Sequence, residues 1–367
     1  MYTILLYTNT KEQETAIIKN MLKDVKDIRI EELYPVGRLE YKHLKDLKIL
    51  KWDIVDINIK YVDGILKETL NGEFDGISKN EKEVQIIIYG IDKGVSKVIR
   101  YISEIYPNVK IKLISNTYEG LIFYDYERKN FFKCLELLKE NKIHKLYFLK
   151  KNIAEAYKNL GYNVSYLMQN YKVDTKLIEE ISKIRNNLKS MSKENDNNVK
   201  IGVYKSNGFW NNNVYNTLSV AKFIDNAVLR CNINILRDYE FINKQNINSN
   251  IVYFNQRDEN KLVREIAKND IVLDLDFTNN FTVVSLIAMQ LKIPFLIGNN
   301  QDLFTDLEFK NSDLFVSNSE DNPLENSKKV MEILKNKNKE KLSEELFDWK
   351  KEYDKIQENN LNKMLND

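Results

Sequence analysis

Asp274-Leu275-Asp276-Phe277-Thr278-Asn279-Asn280-Phe281-Thr282-Val283-Val284-Ser285-Leu286-Ile287-Ala288-Met289-Gln290-Leu291-Lys292-Ile293-Pro294-Phe295-Leu296-Ile297-Gly298-Asn299-Asn300 is the stretch whose reading decides the fold. The run Ile271–Leu275 that leads into it is apolar on both faces, as in a strand buried within a parallel sheet. The segment around Ser285–Leu291 is apolar nearly all round and reads as a buried helix. Pro294–Ile297 gives a second buried strand, and Gly298-Asn299-Asn300 supplies residues that turn cheaply after it.

The same alternation extends in both directions. Upstream come a strand Val199–Tyr204, a loop, a long helix carrying Val214, Leu218, Ala221, Ile224 and Val228, and a strand Ile251–Phe254. The chain opens with a strand Tyr2–Tyr7, and Thr8-Asn9-Thr10 leads into a helix over roughly Lys11–Lys23. Val84–Tyr89 is a strand, Gly90–Gly94 a turn, and Val95, Val98, Ile99 and Ile102 mark a helix face. Val109–Ile114 and Lys145–Lys150 read as further strands, the second followed by a helix ending at Gly161. Strands alternating with helices predict an α/β protein with parallel sheets. The polar, aperiodic stretch Lys189–Asn198 is the expected linker. It separates a Rossmann-like domain over 1–188 from another over 199–343, and an amphipathic helix over 344–367 carries Leu346, Trp349, Tyr353 and Ile356.

Composition narrows the function classes. A chain of 367 residues with 43% hydrophobic and 30% charged residues has ample material for a core. Its 56 basic and 54 acidic residues leave a net charge of only +2, against a nucleic-acid binder. No run of about 18 apolar residues is present, and Met1-Tyr2-Thr3-Ile4 has no charged leader, so a cytoplasmic protein is expected. Cys134 and Cys231 fall within apolar helical patterns and read as buried thiols. Two histidines, His43 and His144, and two distant cysteines give no metal site of usual spacing, so neither metal nor other cofactor is expected. Phe131–Lys151 mixes Lys with Phe and Leu but divides into a helix and a strand, which leaves peripheral membrane contact without support.

The opening stretch resembles the donor-sugar segment of GT-B glycosyltransferases, in the retaining group whose pattern reads E-x7-E. The Pro strand and Gly-Asn-Asn turn match, while Asn279 and Ile287 stand at the two glutamate positions. Ile201–Trp210 and the helix after it resemble the first strand, loop and helix of a GT-B donor domain; Asn212 stands where related sequences carry a lysine. The resemblance implies two doubly wound Rossmann-like domains facing a cleft, with the final helix crossing back to the first. It implies a nucleotide-sugar donor and a bacterial surface glycan or glycoprotein acceptor.

On that reading the donor-binding candidates are Lys205, Asn207, Gly208, Asn212, Arg257, Asn279, Asn280, Thr282, Val283, Asn299 and Asn300. In the family the two glutamates contact sugar and ribose hydroxyls, a task suited to carboxylates that accept several strong hydrogen bonds. Asn279 offers a neutral amide, and Ile287 offers nothing polar. Lys205 is the nearest replacement for the charge absent at Asn212, and N–H groups at the helix start near Thr282 and Val283 suit phosphate. Against each role stands a plain structural one, with Asn213 or Asn279 capping a helix and Arg257-Asp258 lying in a solvated loop. Asp92 is an acceptor-side candidate, whereas Asn116 and Glu119 fit a capping box. Two readings remain open at this stage: a glycosyltransferase with an altered donor pocket, or a catalytically inactive GT-B-like protein that binds glycan or partners an active glycosyltransferase.

Overall fold

Two six-stranded sheets, every strand parallel to its neighbours, carry the architecture. The computed structural model describes residues 2–8, 12–33, 51–71, 83–116, 124–191, 198–204, 213–232, 236–251, 258–277, 283–301 and 303–367. The chain forms two units: Met1–Gln169 with Asn360–Asp367, and Asn170–Asn359.

In unit 1 the strands are β1 (Tyr2–Thr8), β2 (Ile28–Leu33), β3 (Val84–Tyr89), β4 (Lys110–Ile114), β5 (Lys145–Phe148) and β6 (Val164–Tyr166), in the order β2-β1-β3-β4-β5-β6. Its helices are α1 (Glu12–Leu22), α2 (Lys51–Asn71), α3 (Lys93–Ile105), α4 (Asp125–Lys139) and α5 (Lys151–Asn159). The period of two along the strands sorts the sheet's faces. Ile4 and Leu6, Ile86 and Ile88, Ile111 and Leu113, and Leu146 and Phe148 enter one buried cluster with apolar residues of α2 to α5. The alternate positions Thr3, Gln85, Lys112 and Tyr147 face the other way. There Gln85 Nε2 donates to Leu365 O at 2.9 Å, Lys112 Nζ donates to Met364 O at 2.6 Å, and Tyr147 reaches Asp367. The end of the last helix therefore lies on that face, beside a polar row that holds its final carbonyls.

Unit 2 contains α6 (Thr175–Met191), β7 (Val199–Val203), α7 (Val214–Ser219), β8 (Ala227–Cys231), α8 (Leu236–Lys244), β9 (Ser249–Ile251), α9 (Glu259–Ile266) and β10 (Ile271–Asp274). It continues with α10 (Val283–Gln290), β11 (Phe295–Gly298), α11 (Ser312–Phe315), β12 (Val316–Ser317), α12 (Pro323–Lys335) and α13 (Lys339–Asn366). The order β12-β11-β10-β7-β8-β9 places the first strand mid-sheet, as in a doubly wound nucleotide-binding sheet. The opening stretch forms the expected strand, helix and strand, with Ser285–Met289 all buried. Phe304, Phe309 and Phe315 pack around Trp349 and Phe295, and Trp349 Nε1 donates to Leu307 O at 3.1 Å, which fixes the first part of α13. Leu346, Trp349 and Tyr353 are buried as their spacing predicts.

Several expectations are corrected. The long helix through Val228 is instead the short α7, a 3-10 turn Val220–Phe223 and strand β8. The helical path ends at Ile224, extended at φ -122° and ψ 121°; Asn226 at φ 57° turns the chain, and Ala227, Leu229 and Cys231 then bury alternate positions, the period of a strand. Cys231 is consequently a strand residue, while Cys134 lies on α4 as expected. Both thiols are free and buried. The strand expected at Ile251–Phe254 begins earlier, at Ser249, and its part beyond Ile251 lies outside the described residues. Of the expected linker, Lys189–Met191 continue α6.

Candidate functional site

Ligands of open parallel sheets bind outside the carboxyl ends of the strands, where the strand order reverses. In unit 2 that reversal falls at β7, between β8 and β10. Segments 205–212, 252–257 and 278–282 follow β7, β9 and β10 and lie outside the described residues. Lys205, Asn207, Gly208, Asn212, Arg257, Asn279, Asn280 and Thr282 all fall in them. Val283, Asn299, Asn300 and Asp92 are described.

Around β10, β11 and β12 the described residues form a connected polar edge. Asn299 N donates to Glu320 Oε1 at 2.6 Å. The Glu320 carbonyl accepts from Asn213 Nδ2 at 2.6 Å and from Asn326 Nδ2 at 3.4 Å. Asn300 Nδ2 donates to Phe277 O at 3.2 Å, and Gln301 Nε2 donates to Asp274 O at 2.6 Å. Segments following β7, β10, β11 and β12 are thus tied together. Gly298 makes this possible: a Cβ there would sit 2.7 Å from Asp276 O and 2.9 Å from Glu320 Cγ. Asn213 adopts the left-handed region at φ 48°, which asparagine tolerates. Its carbonyl accepts from Thr217, and its side chain makes no cap bond to α7.

Other residues singled out in the sequence have structural placements. Val283 opens α10 and is half-buried. Ile287, at one glutamate position of the resembled pattern, is 0% exposed within α10. Asp258 Oδ1 accepts from Lys261 N at 3.0 Å and caps α9. Tyr204, at the end of β7, is buried; its hydroxyl donates to Glu265 O and accepts from Asn269 Nδ2. Burial raises the Tyr204 hydroxyl pKa, so it stays protonated.

In unit 1, buried Asp92 caps α3 through Oδ1, which accepts from Val95 N at 2.8 Å. Gly90 just before it has φ 79°, and a Cβ there would lie 2.7 Å from Asn116 Nδ2. That close approach of β3's end to β4's end requires glycine. Asn116 itself is buried after β4; Glu119, its partner in the expected capping box, lies outside the described residues. A hollow of about 340 Å³ lies at the opposite, amino-terminal edge of this sheet, lined by Leu138, His144, Leu160 and Tyr162. His144 Nδ1 accepts from Ile111 N at 3.0 Å, and burial with nearby Lys110 lowers its pKa, so the imidazole is neutral and structural.

No protein-family model matches the sequence, and no curated protein sequence matches it either. Solved structures match it over its full length. HepE from Anabaena, in complex with UDP and glucose, superposes with a TM-score of 0.66 at 11% identity, covering 100% of this chain and 99% of that one. An α,α-trehalose-phosphate synthase (UDP-forming) from Burkholderia vietnamiensis gives 0.65 at 8% identity, covering 100% of both chains. The N-terminal domain of a Candida albicans trehalose-6-phosphate phosphatase gives 0.62 at 12% identity, covering 99% of this chain and 89% of that one. The chain has the GT-B-like α/β fold that its sequence led one to expect, two parallel six-stranded sheets flanked by helices. Among the described residues no helix is long and apolar enough to cross a membrane.

Glu320, Gln301 and Asn213 join the edge without having been named as ligand candidates. A signal for Glu320 was available. Asn322-Pro323 is a helix start, with Asn322 Oδ1 accepting from Glu325 N at 3.2 Å, so the residues just before it form a strand-to-helix loop at the sheet's carboxyl edge.

Proposed function

We propose that this chain binds a nucleotide-diphosphate sugar at the carboxyl edge of the unit 2 sheet and transfers the sugar to a bacterial surface glycan or glycoprotein. Support comes from the strand-end edge Asn213–Gly298–Asn299–Glu320, built where doubly wound sheets take ligands, in a fold whose full-length structural neighbours include one solved with UDP and glucose. Lys205 and the amides near Asn280, Thr282 and Val283 would hold the diphosphate. Asn299 and Asn300 follow the next strand end, that of β11. Transfer of this kind asks for positioning and stabilisation of the leaving diphosphate, without metal or other cofactor. The protein would work in the cytoplasm.

A second reading has its own observation. Ile287 is wholly enclosed in the core, so position 287 makes no contact with a ribose. A chain of this fold that binds glycan, or supports an active glycosyltransferase as a partner subunit, would need no such contact.

A thermal-shift panel of UDP-, GDP- and dTDP-sugars separates the two. Ligand at a hundred-fold its Kd stabilises the folded state by about 2.7 kcal/mol, which raises the melting temperature measurably. A shift with one nucleotide sugar, followed by release of its nucleotide on incubation with acceptor, supports transfer. No shift with any nucleotide would end the donor reading.

A further inference from the structure

We propose that the outward face of α4 and α5 in unit 1 docks onto an anionic lipid bilayer. The inference stands apart from the donor reading. Among the described residues, Leu160 at 70% and Phe132 at 56% are the most exposed of the large apolar side chains, and both belong to this face. Phe132 and Lys139 are seven residues apart on α4, so they share one side of the helix two turns from each other. The Lys139 ammonium stands 5.5 Å from the centre of the Tyr162 ring, and Lys139, Leu160 and Tyr162 line the hollow at the helix ends. Rings join the two helices between these points. Phe131 is 5.9 Å from Phe132 and 5.5 Å from Tyr157, and Tyr157 is 5.7 Å from Tyr162. Phe132, Tyr162 and Leu160 thus form one strip. Single exposed apolar residues are ordinary on a protein surface, but a strip of them marks a contact.

The charge around the strip selects the occupant. Lys129, Lys133, Lys139 and Lys158, on the solvent side of α4 and α5, have no ion-pair partner among the described residues. The exposed carboxylates of α4 and its end are already engaged: Asp125 pairs with Arg128, and Glu136 and Glu140 pair with Arg100 of α3. Glu155 alone is left on α5 to offset four lysines, in a chain whose total charge is only +2. Exposed rings and a leucine flanked by flexible cations suit the headgroup level of a bilayer. The apolar side chains enter the acyl boundary while the ammonium groups reach lipid phosphates. A nucleic acid would engage the lysines but would give Leu160 no apolar partner. The stretch Phe131–Lys151 divides into a helix and a strand, as its sequence predicts, so this face is not one amphipathic segment. It is assembled from α4 and from Leu160 and Tyr162 beyond the end of α5.

The test is co-sedimentation of the full chain with vesicles of phosphatidylcholine alone and of equal parts phosphatidylcholine and phosphatidylglycerol. The variants are Phe132→Ser, Leu160→Ser, the double change Lys129→Gln with Lys133→Gln, and Phe223→Ser as a control at an exposed ring of unit 2. All replace exposed or half-exposed side chains, so each should melt with the wild type. Wild type should pellet with the mixed vesicles and not with phosphatidylcholine alone, and added salt should release it. Phe132→Ser and Leu160→Ser should each weaken partitioning about ten-fold. The double lysine change should weaken it about thirty-fold, equivalent to about 2 kcal/mol. Phe223→Ser should match wild type. Wild type that stays in solution with the mixed vesicles would overturn the proposal, as would equal pelleting with both vesicle types. Variants of α4 and α5 that pellet as well as wild type, or a control that falls as far as they do, would remove the assignment to this face. A dimer seen by light scattering and abolished by Phe132→Ser would give the face to a second copy of the chain and overturn the proposal too.

Discussion

Replacing Lys112 with methionine tests how the last turn of the chain is held. Lys112 is 1% exposed, and its ammonium donates to Met364 O at 2.6 Å and Leu365 O at 3.3 Å. Those are carbonyls without helical partners, where a cation is favoured. Burial nevertheless pushes the Lys112 pKa down to about 8; Asp367 works against that fall, and Lys110 and Lys145 reinforce it. The sign follows from proton linkage. The unfolded lysine, near 10.4, binds its proton more tightly than the folded one, so stability rises with pH between about 8 and 10.4. It falls away again as pH drops through the folded pKa. At about 1.4 kcal/mol per pH unit, wild type should gain roughly 1.3 kcal/mol from pH 7 to pH 9, and about 2.5 kcal/mol by pH 10. Lys112→Met lacks this term. Urea unfolding of both proteins at pH 7, 8, 9 and 10 reads the difference between them, which cancels the titration of every other group to first order. The expected difference moves in favour of wild type by those amounts. A difference that stays constant across the series would refute the account of Lys112 as a charged group buried at a cost.

Three further outcomes follow from the same structure. Gly298→Ala drives a methyl to 2.7 Å from the Asp276 carbonyl, so it should cost about 1–3 kcal/mol, and a melting temperature equal to wild type would contradict the packing described. Ile287→Glu, which restores the carboxylate of the resembled pattern, places a charge in a site that is 0% exposed; it should destabilise unit 2 by several kcal/mol and not improve donor binding, as circular dichroism melts and calorimetry would show. Cys134 is wholly enclosed, and burial pushes its thiol up to about 12, so a thiol reagent at pH 8 should label it only after denaturant is added.

The sequence made the sheets legible wherever a strand is buried on both faces. Val84–Tyr89 and Phe295–Gly298 show this best, since every residue in them is buried and every one is apolar or aromatic apart from Gln85 and Gly298. Edge and mixed strands were harder. In β8 the residues Val228 and Arg230 alternate with Ala227, Leu229 and Cys231, and Val228 continues the helical spacing of Val214, Leu218, Ala221 and Ile224. The path ends at the extended Ile224 and turns at the left-handed Asn226, and an asparagine in a chain rich in asparagine carries little signal. β2, with one fully buried residue at Leu33, gave no apolar run to find.

The site divided in a similar way. Asn299 and Asn300 were legible because they follow a strong strand. Glu320 was harder to read, because β12 is two residues long and the cue for its loop is the Asn322-Pro323 helix start that follows. Asp92 and Asp258 look chemical as isolated carboxylates, yet both cap helices, and only the backbone geometry shows it. Ile287, at one of the two glutamate positions of the resembled motif, belongs to the core.

The central claim is that the unit 2 edge receives a nucleotide sugar, and direct calorimetric titration of the full chain with UDP-, GDP- and dTDP-sugars tests it most directly. Saturable binding of at least one of them at one site per chain, tighter than its free nucleotide, is the result the account requires. Heats no larger than dilution across the whole panel would contradict it.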